Sequence, residues 1–212
     1  MWLDRAISWT RCILTSIFGV GFCYLLFSVQ AARADLIFDS NTPHKEIWQQ
    51  VYDSLPSALK TQKAVVVEVV SAKTMQQLFE KTMGQPCSDV VDGCYYLGGD
   101  RIDADATILL LDTLQGDRAR MVFAHEYGHF VWDQLLTSAE RDAYNAVWQR
   151  QLRKHCLVST YASTSVEEGF AEAFAEYVCA RQKLDTCDVL SEKFLNKLVS
   201  RRTDPSQVAT SS

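Results

Sequence analysis

Asp117-Arg-Ala-Arg-Met-Val-Phe-Ala-His-Glu-Tyr-Gly-His-Phe-Val-Trp-Asp-Gln-Leu135 is the stretch on which the fold of this chain turns. Apolar residues recur on nearly every side of a 3.6-residue period, which predicts a buried central helix and not a surface one. Just before it, Ala106-Thr-Ile-Leu-Leu-Leu-Asp112 is a short apolar run that predicts a strand. A strand feeding directly into a buried helix implies a core of sheet packed on helix.

Toward the N-terminus, Asp39-Ser-Asn-Thr-Pro43 marks a helix start, and that helix is expected to run through about Ala58. Ala64-Val-Val-Val-Glu-Val-Val70 is β-branched and predicts a strand. Ser71 is placed to cap a helix from Ala72 to Met83, and Gly84 to Asp105 reads as loop-rich. Toward the C-terminus, helices are expected from a cap at Ser138, over about Ser165–Arg181, and over Asp188–Arg201. Thr203–Ser212 reads as a flexible tail. The expected class is α+β: a small mixed sheet, a buried helix against it, and a mainly helical C-terminal half. No repeat or interdomain linker divides residues 35–202, which read as one domain.

Residues 1–34 differ in kind. Arg5 and Arg11 precede an apolar segment from Cys12 to Val29, and Ala32-Arg33-Ala34 follows as a small-x-small cleavage site. That order predicts a signal peptide cut after Ala34, with a retained anchor over residues 12–29 as the alternative. Either way the domain is expected outside the inner membrane, secreted or periplasmic, and in contact with membrane only if the segment is retained. Cleavage leaves 178 of the 212 residues and, without Asp4, Arg5, Arg11 and Arg33, 18 basic against 25 acidic side chains. A domain so acidic is a poor partner for nucleic acid.

Of seven cysteines, Cys87, Cys94, Cys156, Cys179 and Cys187 fall within the domain. Export permits disulfides. Cys87-Ser-Asp-Val-Val-Asp-Gly-Cys94 reads as a polar loop that a bridge could close, while the pairing of the other three stays open.

Within the central helix lies His125-Glu126-Tyr127-Gly128-His129. Side chains four apart on a helix share a face, so both imidazoles can reach one zinc ion. Glu126 sits beside that face, in place to take a proton from water activated there. A metzincin-type continuation would need Gly at 132 and His at 135; Trp132 and Leu135 stand there instead. His44 and His155 stand apart from any such pattern and read as surface or structural.

A third ligand is sought in Glu167-Glu168-Gly-Phe-Ala-Glu172-Ala-Phe-Ala-Glu176-Tyr177. Glu168, Glu172 and Glu176 repeat every fourth residue, and Ala171, Ala173 and Ala175 are small enough for close helix packing. Glu168 is expected to ligate the metal and Glu172 to accept a hydrogen bond from a ligand histidine. Glu176 is expected at the surface, and Glu167 replaces Glu168 if the helix register is shifted by one.

His125-Glu-Tyr-Gly-His129, Tyr161 seven residues before Glu168, and Gly169-Phe-Ala-Glu-Ala-Phe174 resemble the gluzincin peptidases of the anthrax lethal factor family, which includes the secreted Pro-Pro endopeptidases. The resemblance covers about residues 121–177. It implies one Zn2+ per chain held by His125, His129 and Glu168, with Glu126 as general base. Tyr161, otherwise an ordinary Tyr in a polar loop, becomes the hydrogen-bond donor to the transition state. No pattern here transfers a proline preference.

The expected function is therefore an exported zinc endopeptidase acting on protein or peptide substrates, with strand 106–112 as the edge strand along which an extended peptide lies. The alternative is a catalytically silent, zinc-stabilised binding or adhesion module.

Overall fold

The computed structural model describes residues 36–39, 42–61, 63–83, 91–98 and 104–203. The export segment, Cys87 and residues 204–212 of the expected tail lie outside the described residues. Among the described residues, no helix is long and apolar enough to cross a membrane.

The β-branched run forms β2 (Val65–Val70), and the apolar run before the central helix forms β4 (Ala106–Leu111). They pair in parallel, Val65 opposite Ala106 through Val70 opposite Leu111. A two-residue strand, β1 (Ile37–Phe38), runs parallel on the far side of β2. On the other side of β4 lies β3 (Gly93–Leu97), antiparallel to it. The order β1-β2-β4-β3 makes a small mixed sheet, and with the helices an α+β fold.

Two expectations are corrected here. β4 is not an edge strand: it lies between β2 and β3, and all of its residues are buried. A continuous apolar run has no side suited to solvent, so it takes the middle of a sheet covered on both faces. The second correction concerns the region read as loops, which carries β3, the outermost strand on that side among the described residues. β3 is half-buried and ends in an exposed Leu97, the profile of an edge.

The helices follow the sequence signals closely. α1 (Lys45–Ser54) starts later and stops sooner than expected, because Leu55 and Pro56 turn extended before a 3-10 turn at Ser57–Leu59. α2 (Ala72–Met83) is opened by Ser71, whose hydroxyl accepts from the Thr74 N–H at 3.3 Å. α3 (Gly116–Phe130) continues as a π-helical turn over Val131–Leu135. α4 (Ser138–Arg153) is capped one residue earlier than expected, by Thr137 in a reciprocal capping box with Glu140. α5 (Val166–Cys179), the short α6 (Gln182–Thr186) and α7 (Val189–Thr203) complete the C-terminal half.

α3 packs against β3 and β4 on one side and α5 on another, with α1 also in contact. Phe123, Tyr127 and Phe130 on α3 and Phe170 and Phe174 on α5 are fully buried, and the Tyr127 hydroxyl donates to the Leu59 carbonyl at 3.1 Å. Gly128 sets the helix spacing. A Cβ added there would stand 2.9 Å from the Ala171 Cα, so this crossing depends on a glycine facing an alanine. The small residues of α5 thus bring its acidic side chains to the histidines of α3.

Candidate metal centre

α3 presents His125 and His129 one turn apart, with their Nε2 atoms 3.1 Å from each other. From α5, Glu168 Oε2 approaches to 3.1 Å from His125 Nε2 and 3.4 Å from His129 Nε2. Ligand atoms arranged tetrahedrally at 2.0–2.1 Å from an ion stand about 3.3 Å apart. The three donor atoms have the spacing of three corners of that tetrahedron. Glu168 Oε2 is buried and makes no hydrogen bond, although both imidazoles are near. It faces the point the imidazoles share, and these three residues could hold a metal ion.

The register of α5 selects Glu168 over its neighbour. Ser165 caps the helix, its hydroxyl accepting from the Glu168 N–H at 3.1 Å. Glu168 is thereby turned toward α3, while Glu167 is exposed and takes no part.

Around the triad lies a second tier. His125 Nδ1 donates to Glu172 Oε1 at 2.9 Å, leaving Nε2 directed at the shared point. Glu172 Oε2 accepts from the Ser159 hydroxyl at 2.6 Å, and Ser159 Oγ in turn accepts from the Ala162 N–H at 2.9 Å. This chain ties the 3-10 turn at Tyr161–Ser163 to the metal-facing histidine. Tyr161 itself is 53% exposed, with its ring centroid 6.0 Å from that of His125. It stands over the site, open to an incoming molecule.

Glu126 is only 7% exposed. It is wedged against β3: a Cβ on Gly93 would lie 2.8 Å from both its Cγ and its Oε1, so glycine is required for the carboxylate to fit. Burial pushes the Glu126 carboxyl up, while the imidazoles of His125 and His129 and a backbone hydrogen bond from Tyr95 pull against that rise.

The other acids balance differently. Burial raises Glu168, but His125 and His129 outweigh it and hold the carboxyl well below the usual range. Glu172 is likewise raised by burial and lowered overall by His125 and Ser159. For His125, burial disfavours the cation, yet Glu168 and Glu172 bring the imidazole up to about 10. The site is thus a nest of carboxylates that favours positive charge at its centre.

A cavity of about 400 Å³ opens beside these groups. His125, Glu126 and Tyr161 line it, together with Met121 and Val122 from the preceding turn of α3. Its wall also holds Arg118, which donates to Asp92 from Nε at 2.9 Å and from an Nη at 2.8 Å. That pair binds the start of β3 to α3.

His125, Glu126, His129, Tyr161, Glu168 and Glu172 all meet here. Glu176 does not, and it is not at the surface: it is 5% exposed, packed within the core. Four residues advance a helix by about 40° beyond a full turn, so by Glu176 the stripe has turned about 80° away from Glu168. His44 and His155 are exposed, as expected, each with a left-handed backbone. Gly93 and Ser159 were not anticipated. Gly93 carries the faint signal of a glycine opening a Cys-Tyr-Tyr-Leu run, whereas nothing local distinguishes Ser159. Set against known proteins, the chain matches no family model and no curated protein.

Proposed function

We propose that this chain is an exported zinc-dependent endopeptidase of gluzincin type, similar to the anthrax lethal factor family. The observation that carries the reading is the convergence of His125, His129 and Glu168 on one point, with Glu126 buried beside it. Two imidazoles and one carboxylate at tetrahedral spacing suit zinc, and three protein ligands leave a position open for chemistry. When bound, zinc supplies Lewis acidity, polarising a scissile carbonyl and making water easier to deprotonate. The Arg5–Ala34 pattern supports export.

The chain's own residues divide the remaining work. Glu126 takes the proton of the attacking water and passes it to the leaving amine, a transfer its burial and fixed position favour. Glu172 keeps His125 in one tautomer through Nδ1, and Ser159 holds Glu172. Tyr161, exposed above His125, donates its O–H to the oxygen on which charge develops. β3 is the strand suited to align a substrate: an extended peptide added along it passes Gly93 and Glu126, and the adjoining cavity receives a side chain.

The test is metal analysis of the purified protein together with cleavage of a random peptide library, before and after chelation. The expected result is one zinc per chain and cleavage that stops with chelator and returns with zinc. Zinc without cleavage of any peptide would make the protein a zinc-stabilised binding module. Absence of metal affinity would remove the reading altogether.

A further inference from the structure

Away from the metal centre, two loops meet over a single side chain. Gln151, buried near the end of α4, directs its Nε2 at Asp188 Oδ1 at 2.9 Å and at the backbone oxygens of Cys156 and Cys187, each at 3.3 Å. The segment leaving α4 and the segment entering α7 are therefore held within reach of one amide nitrogen. The Cys156 side chain stands near enough to that of Cys187 to push its thiol up. Both stand as thiols and both are only half-buried, so an exchange partner can reach them.

We propose that Cys156 and Cys187 are the two halves of a disulfide that fastens the segment carrying Ser159 and Tyr161 to the start of α7. The oxidant is a second disulfide, either glutathione disulfide or that of a thiol–disulfide oxidoreductase. The thiolate of one cysteine attacks it, forming a mixed disulfide and releasing one thiol. The other cysteine then attacks the mixed disulfide and releases the second thiol. Two protons and two electrons pass to the partner, and one S–S bond is exchanged for another.

Cys179 is engaged elsewhere. It sits on α5, its Sγ directed at the Arg120 carbonyl at 3.7 Å, and burial pushes the thiol up to about 11. If Cys87 and Cys94 close their own loop, Cys179 is the odd thiol of the five in the domain. The bond would close a long loop, since Cys156 and Cys187 are 31 positions apart, and closure of long loops gives the larger stabilisation in the chain-entropy account. Three residues beyond Cys156 lies Ser159, so the bond also anchors the turn that supports Glu172.

The full-length protein, equilibrated in a glutathione buffer of oxidising poise, is alkylated and digested without reduction. Trypsin alone leaves Cys156 and Cys179 together on peptide 155–181, so cleavage after glutamate at 167 or 168 is added to separate them. The expected product joins a Cys156 peptide to a Cys187 peptide and is lighter by two hydrogens. The Cys156→Ser/Cys187→Ser double variant should melt on the order of 5–10 °C lower than the oxidised protein. Recovery of Cys156 and Cys187 as alkylated thiols, or of Cys187 joined to Cys179, would overturn the assignment. Neither readout involves metal or peptidase activity, so the result is independent of the proposed function.

Discussion

Two helix starts in this protein bury carboxylic acids, and the two treat them in opposite ways. At the start of α5, burial pushes Glu168 and Glu172 up, but imidazoles face both and hold them below the usual carboxylate range. Asp188 at the start of α7 is withdrawn from water further still, fully buried where Glu168 and Glu172 are partly so, with only neutral donors around it: the Gln151 amide at 2.9 Å and the Ser191 N–H at 3.3 Å. There burial prevails and the carboxyl is pushed up. Burial raises all three acids, more completely at Asp188, and only where imidazoles face the carboxylate is that rise outweighed. Acids paired with imidazoles make a site that attracts a cation, whereas an acid among neutral donors caps a helix.

Removing the charged side of that contrast should have the largest effect. Glu168→Ala takes away one of the three proposed ligand atoms, and on the proposed function both bound zinc and peptidase activity should fall to background. Metal analysis after dialysis measures the first. Full zinc occupancy in that variant would place the third ligand elsewhere. Glu126→Ala should keep its zinc but lose about 10³-fold in turnover, within the range for a general base. An active variant would disprove the role given to Glu126. Tyr161→Phe should cost about 10²-fold in kcat with zinc content unchanged, as loss of one oxyanion donor does. If kcat holds, Tyr161 is a lining residue only.

Most of the candidate site was legible in the sequence because its information is local. The four-residue spacing of His125 and His129 is a property of one helix, and the acidic repeat is a property of another, although its register stayed open between Glu167 and Glu168 until the Ser165 cap fixed it. The pairing of α3 with α5 was partly legible in the alanines, although Gly128 supplies the other half of that contact. Sheet order was not legible. Ala106–Leu111 announces a strand, but whether a strand lies at an edge depends on which others flank it, and β3 is a five-residue strand in a segment dense with turn residues. Gly93 and Ser159 escaped for the same reason: each matters only through a partner distant in the chain, Glu126 for one and Glu172 for the other. The drift of the acidic stripe that buries Glu176 follows from helix geometry and could have been read in advance.

The smallest expected effect tests the neutral side of the comparison. Because the folded-state value of Asp188 is raised, its contribution to stability is complete below the ordinary carboxylate range and is lost as pH rises through the higher folded value. Asp188→Asn keeps the acceptor that serves Gln151 and the Ser191 N–H but cannot ionise. The two proteins should therefore unfold at similar denaturant concentrations near pH 4, and the Asn variant should gain on the parent as pH rises toward 7. The gain should be about 1 kcal/mol, the ordinary size of a single-site change. Denaturant unfolding followed by tryptophan fluorescence over that pH range measures it. Parallel stability curves would mean that Asp188 is ionised at no cost in the folded protein. The contrast between the two helix starts would then rest on the imidazoles at α5 alone, with burial at α7 contributing nothing.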